Sequence, residues 1–159
     1  MKPRIEYRNV APGAVEAMSG LERYLAGSGL EPSLLDLVKL RASQINGCAY
    51  CIDMHTKDAR ARGESEQRLY ALSAWRETPF YSERERAALE WAEVLTQIPE
   101  HGVCDEVYQR VRAQLSDKEL SDLTFVVMSI NAWNRINVGF TVVPGTYDKA
   151  YGLDKSGLA

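Results

Sequence analysis

Apolar residues recur at helical spacing along almost the whole chain, and each run stops at a glycine, a proline or a polar cap. That pattern predicts an all-α fold. After Pro12-Gly13 a first helix runs from Ala14 to about Ala26, with Val15, Met18, Leu21 and Leu25 on one stripe and Gly27-Ser28-Gly29 ending it. Pro32 suits the first turn of a second helix, which carries Leu34, Leu37, Val38, Arg41 and Ile45 toward Asn46-Gly47. Asn-Gly tolerates the left-handed backbone that closes a helix. A third helix begins near Cys48 and ends at Gly63. Ser82-Glu-Arg-Glu85 and Ser116-Asp-Lys-Glu119 both match the capping box, in which serine and glutamate satisfy orphan amides reciprocally. The helices they open reach Pro99 and about Gly139, and shorter ones fit from Glu66 to Trp75 and from Asp105 to Leu115. Thr141 to Pro144 is expected as a short extended piece, and the tail after Tyr147 as surface-bound or frayed. With no repeat or long linker, residues 1–159 read as one domain with a core of about 14–139 and a C-terminal tail at 140–159.

A chain of 159 residues buries roughly two thirds of its unfolded surface and stands without disulfide staples, so its cysteines are free for other work. The formal net charge of −3 argues against an electrostatic grip on nucleic acid or an anionic membrane. The first seven residues lack the apolar core of a signal peptide, and the most apolar run, Leu123 to Ile130, is too short to span a bilayer. A cytoplasmic protein is expected. Three cysteines in a reducing compartment point to reactive or metal-binding thiols before structural bridges.

The stretch NGCAYCIDMH, Asn46 to His55, holds two of the three cysteines and one of the two histidines. On a helix, positions three and seven apart share a face, so Cys48, Cys51 and His55 line one stripe. Cys48 at the first turn meets unpaired amides and the positive end of the helix dipole, which favour thiolate over thiol. Cβ atoms three apart on a helix lie about 5–6 Å from one another, whereas a relaxed disulfide prefers about 3.8 Å. A bridge formed there is strained and easily reduced, which suits a cycling redox pair better than a staple. Zinc would have to recruit further ligands from Cys104, His101 or Asp36, because no second Cys-x-x-Cys exists. Haem attachment wants histidine directly after the second cysteine, and a thioredoxin-like site wants a preceding strand; neither pattern is present.

The run from Asp36 through Cys48-Ala-Tyr-Cys51 to His55 resembles the alkylhydroperoxidase D core of the carboxymuconolactone decarboxylase family: an acidic residue, eleven residues, Cys, two residues, Cys, three residues, His. The all-helical reading agrees with that family's fold. The resemblance implies a thiol-dependent hydroperoxide reductase whose cysteine pair closes to a disulfide and is reopened by a dithiol such as dihydrolipoamide, with no cofactor or metal. It makes Cys51 the peroxide-attacking thiol, Cys48 its partner, His55 the relay base and Asp36 the acidic member of the relay, and it implies a homo-oligomer, trimer or hexamer. Which thiol attacks first is open on the residues alone, since the dipole argument favours Cys48 and proximity to His55 favours Cys51. Two departures stand out: Asp36 occupies a position where glutamate is usual, and Ala49-Tyr50 lies where well-known members carry a second histidine. Retention of both cysteines argues against lactone decarboxylation. The other readings are a lactone or keto-acid enzyme using Asp36 and His55 as general acid and base, and a zinc-binding or redox-sensing module without catalysis.

Several other residues carry expectations. Cys104 and His101 read as spectators near a helix start. Trp75, Trp91 and Trp133, with Tyr24, Tyr70, Phe80 and Tyr108, read as core or subunit packing. Tyr50 and Met54 flank the reactive face, either as walls of a small apolar pocket or as core. Asn131, Asn134, Arg135 and Asn137 put unusual polarity into an apolar helix, read first as a subunit interface and second as hydrogen bonding to the ends of the active-site helices.

Overall fold

Why helix three of the sequence reading can present its thiols at all is decided by the helix before it. The computed structural model, described over residues 1–155, contains α1 (Tyr7–Val10), α2 (Pro12–Ala26), α3 (Pro32–Ile45), α4 (Ala49–Ala61), α5 (Glu66–Ala71), α6 (Glu83–Thr96), α7 (Asp105–Arg112), α8 (Asp117–Phe140) and α9 (Asp148–Tyr151), with 3₁₀ turns at Leu72–Glu77 and Leu153–Lys155. No strand occurs among the described residues. α3 is apolar around much of its circumference and packs against α4, α6 and α8 together, as a helix buried on several sides must. Its Leu37, Val38 and Ala42 are wholly buried and serve three different clusters.

One cluster joins α2, α3, α6, α7 and α8 through residues such as Leu25, Val38, Ala92, Val111 and Leu123. A second joins α3, α4, α5 and α6 around Leu37, Leu72, Trp75 and Leu89. The third, where Ala42, Cys48, Tyr50, Cys51 and Ile130 meet Tyr7 and Val142, contains the thiols. Both capping boxes form as their residue types require: Ser82 and Ser116 accept from the amides of Glu85 and Glu119, whose carboxylates reach back to the serine amides. Arg84 then ties the starts of α3 and α8 to α6, bonding Glu31 at 2.9 Å and Glu119 at 2.6 Å.

The structure corrects the reading of the C-terminal region. Thr141 to Pro144 is not extended pairing backbone; Thr141 adopts φ 56°, ψ 49°, and its turn closes α8 through the bond from the Val142 amide to the Asn137 carbonyl at 3.0 Å. The tail after Tyr147 does not simply lie on the surface. α9 and the turn behind it fold back onto α4, and Leu153 is buried. Lys57 of α4 secures this return by pairing with Asp53 at 2.8 Å and Asp148 at 2.6 Å. Residues 156–159 of the expected tail lie outside the described residues. No helix among the described residues is long and apolar enough to cross a membrane.

Because Leu37 is fully enclosed between α3, α4 and α6, its truncation leaves a cavity that rigid neighbouring helices cannot collapse. Leu37→Ala is expected to cost about 3 kcal/mol, read as a lower urea midpoint at unchanged slope.

Candidate active site

Gly47 makes the turn between α3 and α4. Its φ of 62° demands glycine for conformation, since open space surrounds the position where a Cβ would stand. Asn46, just before it, fastens the turn to α8: its Nδ2 lies 3.0 Å from the Ala42 carbonyl, 3.0 Å from Asn131 Oδ1 and 2.9 Å from Asn134 Oδ1. Asn134 in turn donates to Ser43 Oγ at 3.1 Å, and Asn137, one turn on, donates to Cys51 Sγ at 3.2 Å. Tyr7 closes the chain by donating to Asn137 Oδ1 at 3.3 Å. The polarity of α8 is therefore internal, holding the turn and the sulfurs in place, and the subunit-interface reading of Asn131, Asn134 and Asn137 gives way to the second one.

Cys48 is the N-cap of α4 rather than a residue of its first turn, with φ −84° and ψ 94°. Its sulfur faces the Cys51 thiol, the amides of Cys51 and Tyr50 and the side chain of Asn134, although neither amide makes a full capping bond. The Cys51 hydrogen bond is the largest influence, and against the effect of burial these groups bring Cys48 down to about 7. Cys51 moves the other way: it donates to Cys48, is buried, and lies beside the charge that Cys48 carries, so its pKa is raised. The two sulfurs therefore titrate as a pair, and Cys48 is the one that ionises first.

A cavity of about 400 Å³ opens over Cys51, Met54 and His55 of α4 and is closed by Trp133 and Ile130 of α8, Tyr50, and Arg8, Tyr151 and Leu153 from the two ends of the chain. His55 is buried, and neither ring nitrogen has a hydrogen-bond partner among the described residues. Burial, reinforced by the positive charges of Lys39 and Arg62, pushes its pKa down to about 3, so the ring is neutral at physiological pH. It bonds neither Cys51 nor Asp36. Asp36 instead pairs with Arg62 at 2.6 Å and lines a separate, smaller cleft with Ser33, Gly63 and Glu64; burial raises its pKa against that pairing. Two carboxylates line the cavity itself: Asp58 of α4, paired with Arg62 at 2.9 Å, and Glu22 of α2, held by Lys39 at 2.6 Å and Ser129 at 2.5 Å. Burial works against the ionisation of Glu22, but Lys39 and the hydrogen bonds from Ser129 and Trp133 outweigh it and lower the pKa. Among the described residues no three His, Cys, Asp or Glu side chains stand close enough together to hold a metal ion.

The model of the carboxymuconolactone decarboxylase family matches residues 12–94, half of the chain, and that segment includes α3, the turn and all of α4. The chain belongs to this family. It is 46% identical over 138 residues to the uncharacterized protein YdfG of Bacillus subtilis, covering 87% of this chain and 94% of that protein. A crystal structure of an Agrobacterium tumefaciens protein of unknown function, a candidate antioxidant defence protein AhpD, superposes with a TM-score of 0.87 at 46% identity, covering 91% of this chain and 99% of the other. The fold alone is shared with the alkylhydroperoxidase AhpD core of an uncharacterized peroxidase-related protein from Ralstonia eutropha, at TM-score 0.78, 18% identity, and coverage of 91% and 77%.

Within this family member the structure brings together three of the four residues singled out from the sequence: Cys48 against Cys51, and Cys51 beside His55 on the cavity floor. Asp36 stands apart, its one link to the cavity being Arg62, which lines both spaces. Tyr50 and Met54 are cavity walls, and so is Trp133, while Trp75 and Trp91 are core and Tyr24 and Tyr70 are exposed. Cys104 and His101 are exposed, away from the site. Sequence reasoning missed Arg8, Glu22, Lys39, Arg62 and Tyr151, each brought in from a different part of the chain.

Two outcomes follow from this geometry. Asn46→Ala strips Asn131 and Asn134 of a buried donor and is expected to cost about 1–3 kcal/mol in chemical denaturation. In the Cys104→Ser background, thiolate absorbance near 240 nm is expected to appear as pH rises through about 7 in one step, Cys51 remaining protonated well above it; Cys48→Ser removes that step.

Proposed function

We propose that the protein reduces organic hydroperoxides by cycling Cys48 and Cys51 between dithiol and disulfide. The observation that carries this reading is a pair of adjacent buried sulfurs whose pKa values are pushed in opposite directions, of which Cys51 alone lines a largely apolar cavity. The family match and the AhpD name of the neighbouring structure at 46% identity support the same reaction class.

The proton on Cys51 passes to the Cys48 thiolate, the nearest acceptor and one that is already ionised, in an uphill transfer that Asn137 aids by donating to the thiolate left on Cys51. That thiolate attacks the distal peroxide oxygen. A sulfur–oxygen bond forms, the oxygen–oxygen bond breaks, and the leaving alkoxide takes a proton from water to give the alcohol. Cys48 then displaces hydroxide from the Cys51 sulfenic acid, the hydroxide leaving as water with the proton Cys48 held, and the disulfide closes. An external dithiol such as dihydrolipoamide reopens it and departs as its cyclic disulfide. The relay assigned to His55 and Asp36 changes form: neutral His55 offers the peroxide a hydrogen bond, and Asp36 acts on the cavity by positioning Arg62. Self-association belongs to this reading as well, and the exposed Phe125, Met128 and Val138 of α8 support it.

The decisive measurement is steady-state reduction of cumene hydroperoxide with dihydrolipoamide. Cys51→Ser and Cys48→Ser are each expected to abolish turnover, while Cys48→Ser, lacking the nearby proton acceptor, still forms a sulfenic acid at Cys51 more slowly, and a dimedone-type reagent traps it. Labelling at Cys48 in the Cys51→Ser protein would reverse the assignment of the two thiols. Activity toward a lactone or keto acid surviving in the double serine variant would replace the peroxide reading altogether.

A further inference from the structure

Two side chains in the cavity keep buried nitrogens with no hydrogen-bond partner among the described residues, and they differ in charge. His55 is neutral; Arg8 is a guanidinium, charged at every relevant pH. Lys39 and Arg62, the other cations on the cavity wall, are each paired with carboxylates, Lys39 with Glu22 and Arg62 with Asp36 and Asp58. Arg8 has no carboxylate within reach among the described residues. It rests in a box of aromatic rings, 4.6 Å from the ring centre of Tyr147, 5.5 Å from Tyr7, and 5.9 Å from both Trp133 and Tyr151. Its Nη2 donates to the Tyr151 hydroxyl at 2.7 Å, yet its Nε is buried with no acceptor.

Aromatic faces attract a cation but do not satisfy its N–H groups. An unmade hydrogen bond from a buried charged donor is among the more expensive defects a fold can keep, and a planar guanidinium is shaped for a planar anion. Arg8 is also close to the reacting sulfur: Tyr7, on which it stacks, bonds Asn137, which bonds Cys51. Met54, Ile130 and Trp133 line the same cavity as Arg8 and Cys51 and give it an apolar wall.

We propose that Arg8 receives a carboxylate on the substrate, so that the cavity takes an amphipathic organic hydroperoxide: acid group on Arg8, apolar body along Trp133 and Ile130, peroxide between His55 and Cys51. The substrate class rests on the hydroperoxide reading above; the anion site does not. Arg8, Tyr147 and Tyr151 all lie outside residues 12–94, so this recognition is added by the chain ends to the helices that the family model covers.

The test has a binding arm and a turnover arm. By calorimetry, 4-isopropylbenzoate is expected to bind the native protein at least about tenfold tighter than 4-isopropylbenzyl alcohol. Arg8→Met should erase that preference. Arg8→Lys should keep part of it, and its salt dependence alongside that of the native protein carries the same test without removing the charge. In turnover at fixed dihydrolipoamide, kcat/KM should favour the para-carboxylate of cumene hydroperoxide over cumene hydroperoxide by a similar factor, the ratio falling to near one in Arg8→Met. Equal binding of acid and alcohol, or a preference that survives Arg8→Met, overturns the proposal. A charge preference that follows the reductant instead, dihydrolipoate over dihydrolipoamide, overturns the assignment to the peroxide. Acid binding through Arg8 with no reduction of either peroxide supports the anion site and sinks the hydroperoxide reading.

Discussion

The bonds from Asn46 to α8 are the constraint on which the site depends. A helix–turn–helix joint closed by a left-handed glycine has few intrinsic contacts, and the position of the second helix is only as firm as whatever grips the joint. Here the grip is polar and buried: one amide group reaches three acceptors with two hydrogens, so one bond is shared, and two of the acceptors belong to α8. Moving α4 along α8 by even one residue would break these bonds and the bond from Asn137 to Cys51 together. An apolar seam of similar area would tolerate such a slip far better, because methyl groups have no fixed partners. The price in desolvation is accepted where register matters most, at the base of the dithiol.

The same economy of charge shapes the reacting groups. Burial, aided by Lys39 and Arg62, holds His55 neutral, whereas no charged side chain is prominent at the sulfurs, which are influenced by each other, by burial and by neutral amides, Asn134 and Asn137. A neutral donor is cheaper to bury than a cation and is not screened by salt, so it can stabilise a thiolate inside a dry cluster without a counter-charge of its own. In the proposed cycle the proton of Cys51 has its nearest acceptor in Cys48, so that cycle needs no distant base to be desolvated. The missing contact between Asp36 and His55 is compatible with that cycle, which assigns the proton of Cys51 to neither of them.

Which parts of this were readable in the sequence follows from chain separation. The capping boxes of α6 and α8 close within four residues, and the stripe of Cys48, Cys51 and His55 lies within one helix start, so spacing alone located them. The role of the α8 asparagines was visible only as an anomaly, because Asn46, which explains it, lies 85 and 88 residues from its partners. Arg8 and Tyr151 are 143 residues apart, Ser129 and Glu22 107 apart, and no local period marks any of them as cavity residues. Asp36 shows the opposite failure: its spacing from Cys48 matches a family pattern, but a residue one methylene shorter than glutamate meets Arg62 first, and the ion pair takes it.

Chemistry and shape are consequently built from different stretches of chain. α4 supplies the sulfurs and His55 on one face and, farther along, Lys57, a lysine only 7% exposed whose pairs with Asp53 and Asp148 draw the C-terminal turn over the cavity. Loss of either carboxylate would leave that ammonium under-compensated in a buried position, so the return of the chain end is fixed by electrostatics as well as by Leu153. The terminal segments therefore wall the cavity as a rigid part of the molecule while lying outside the helices that position the sulfurs. Arg8 and Tyr151 line the cavity yet make none of the bonds of the Asn46 joint, so the lining can change in size and charge while the position of the dithiol helix stays fixed.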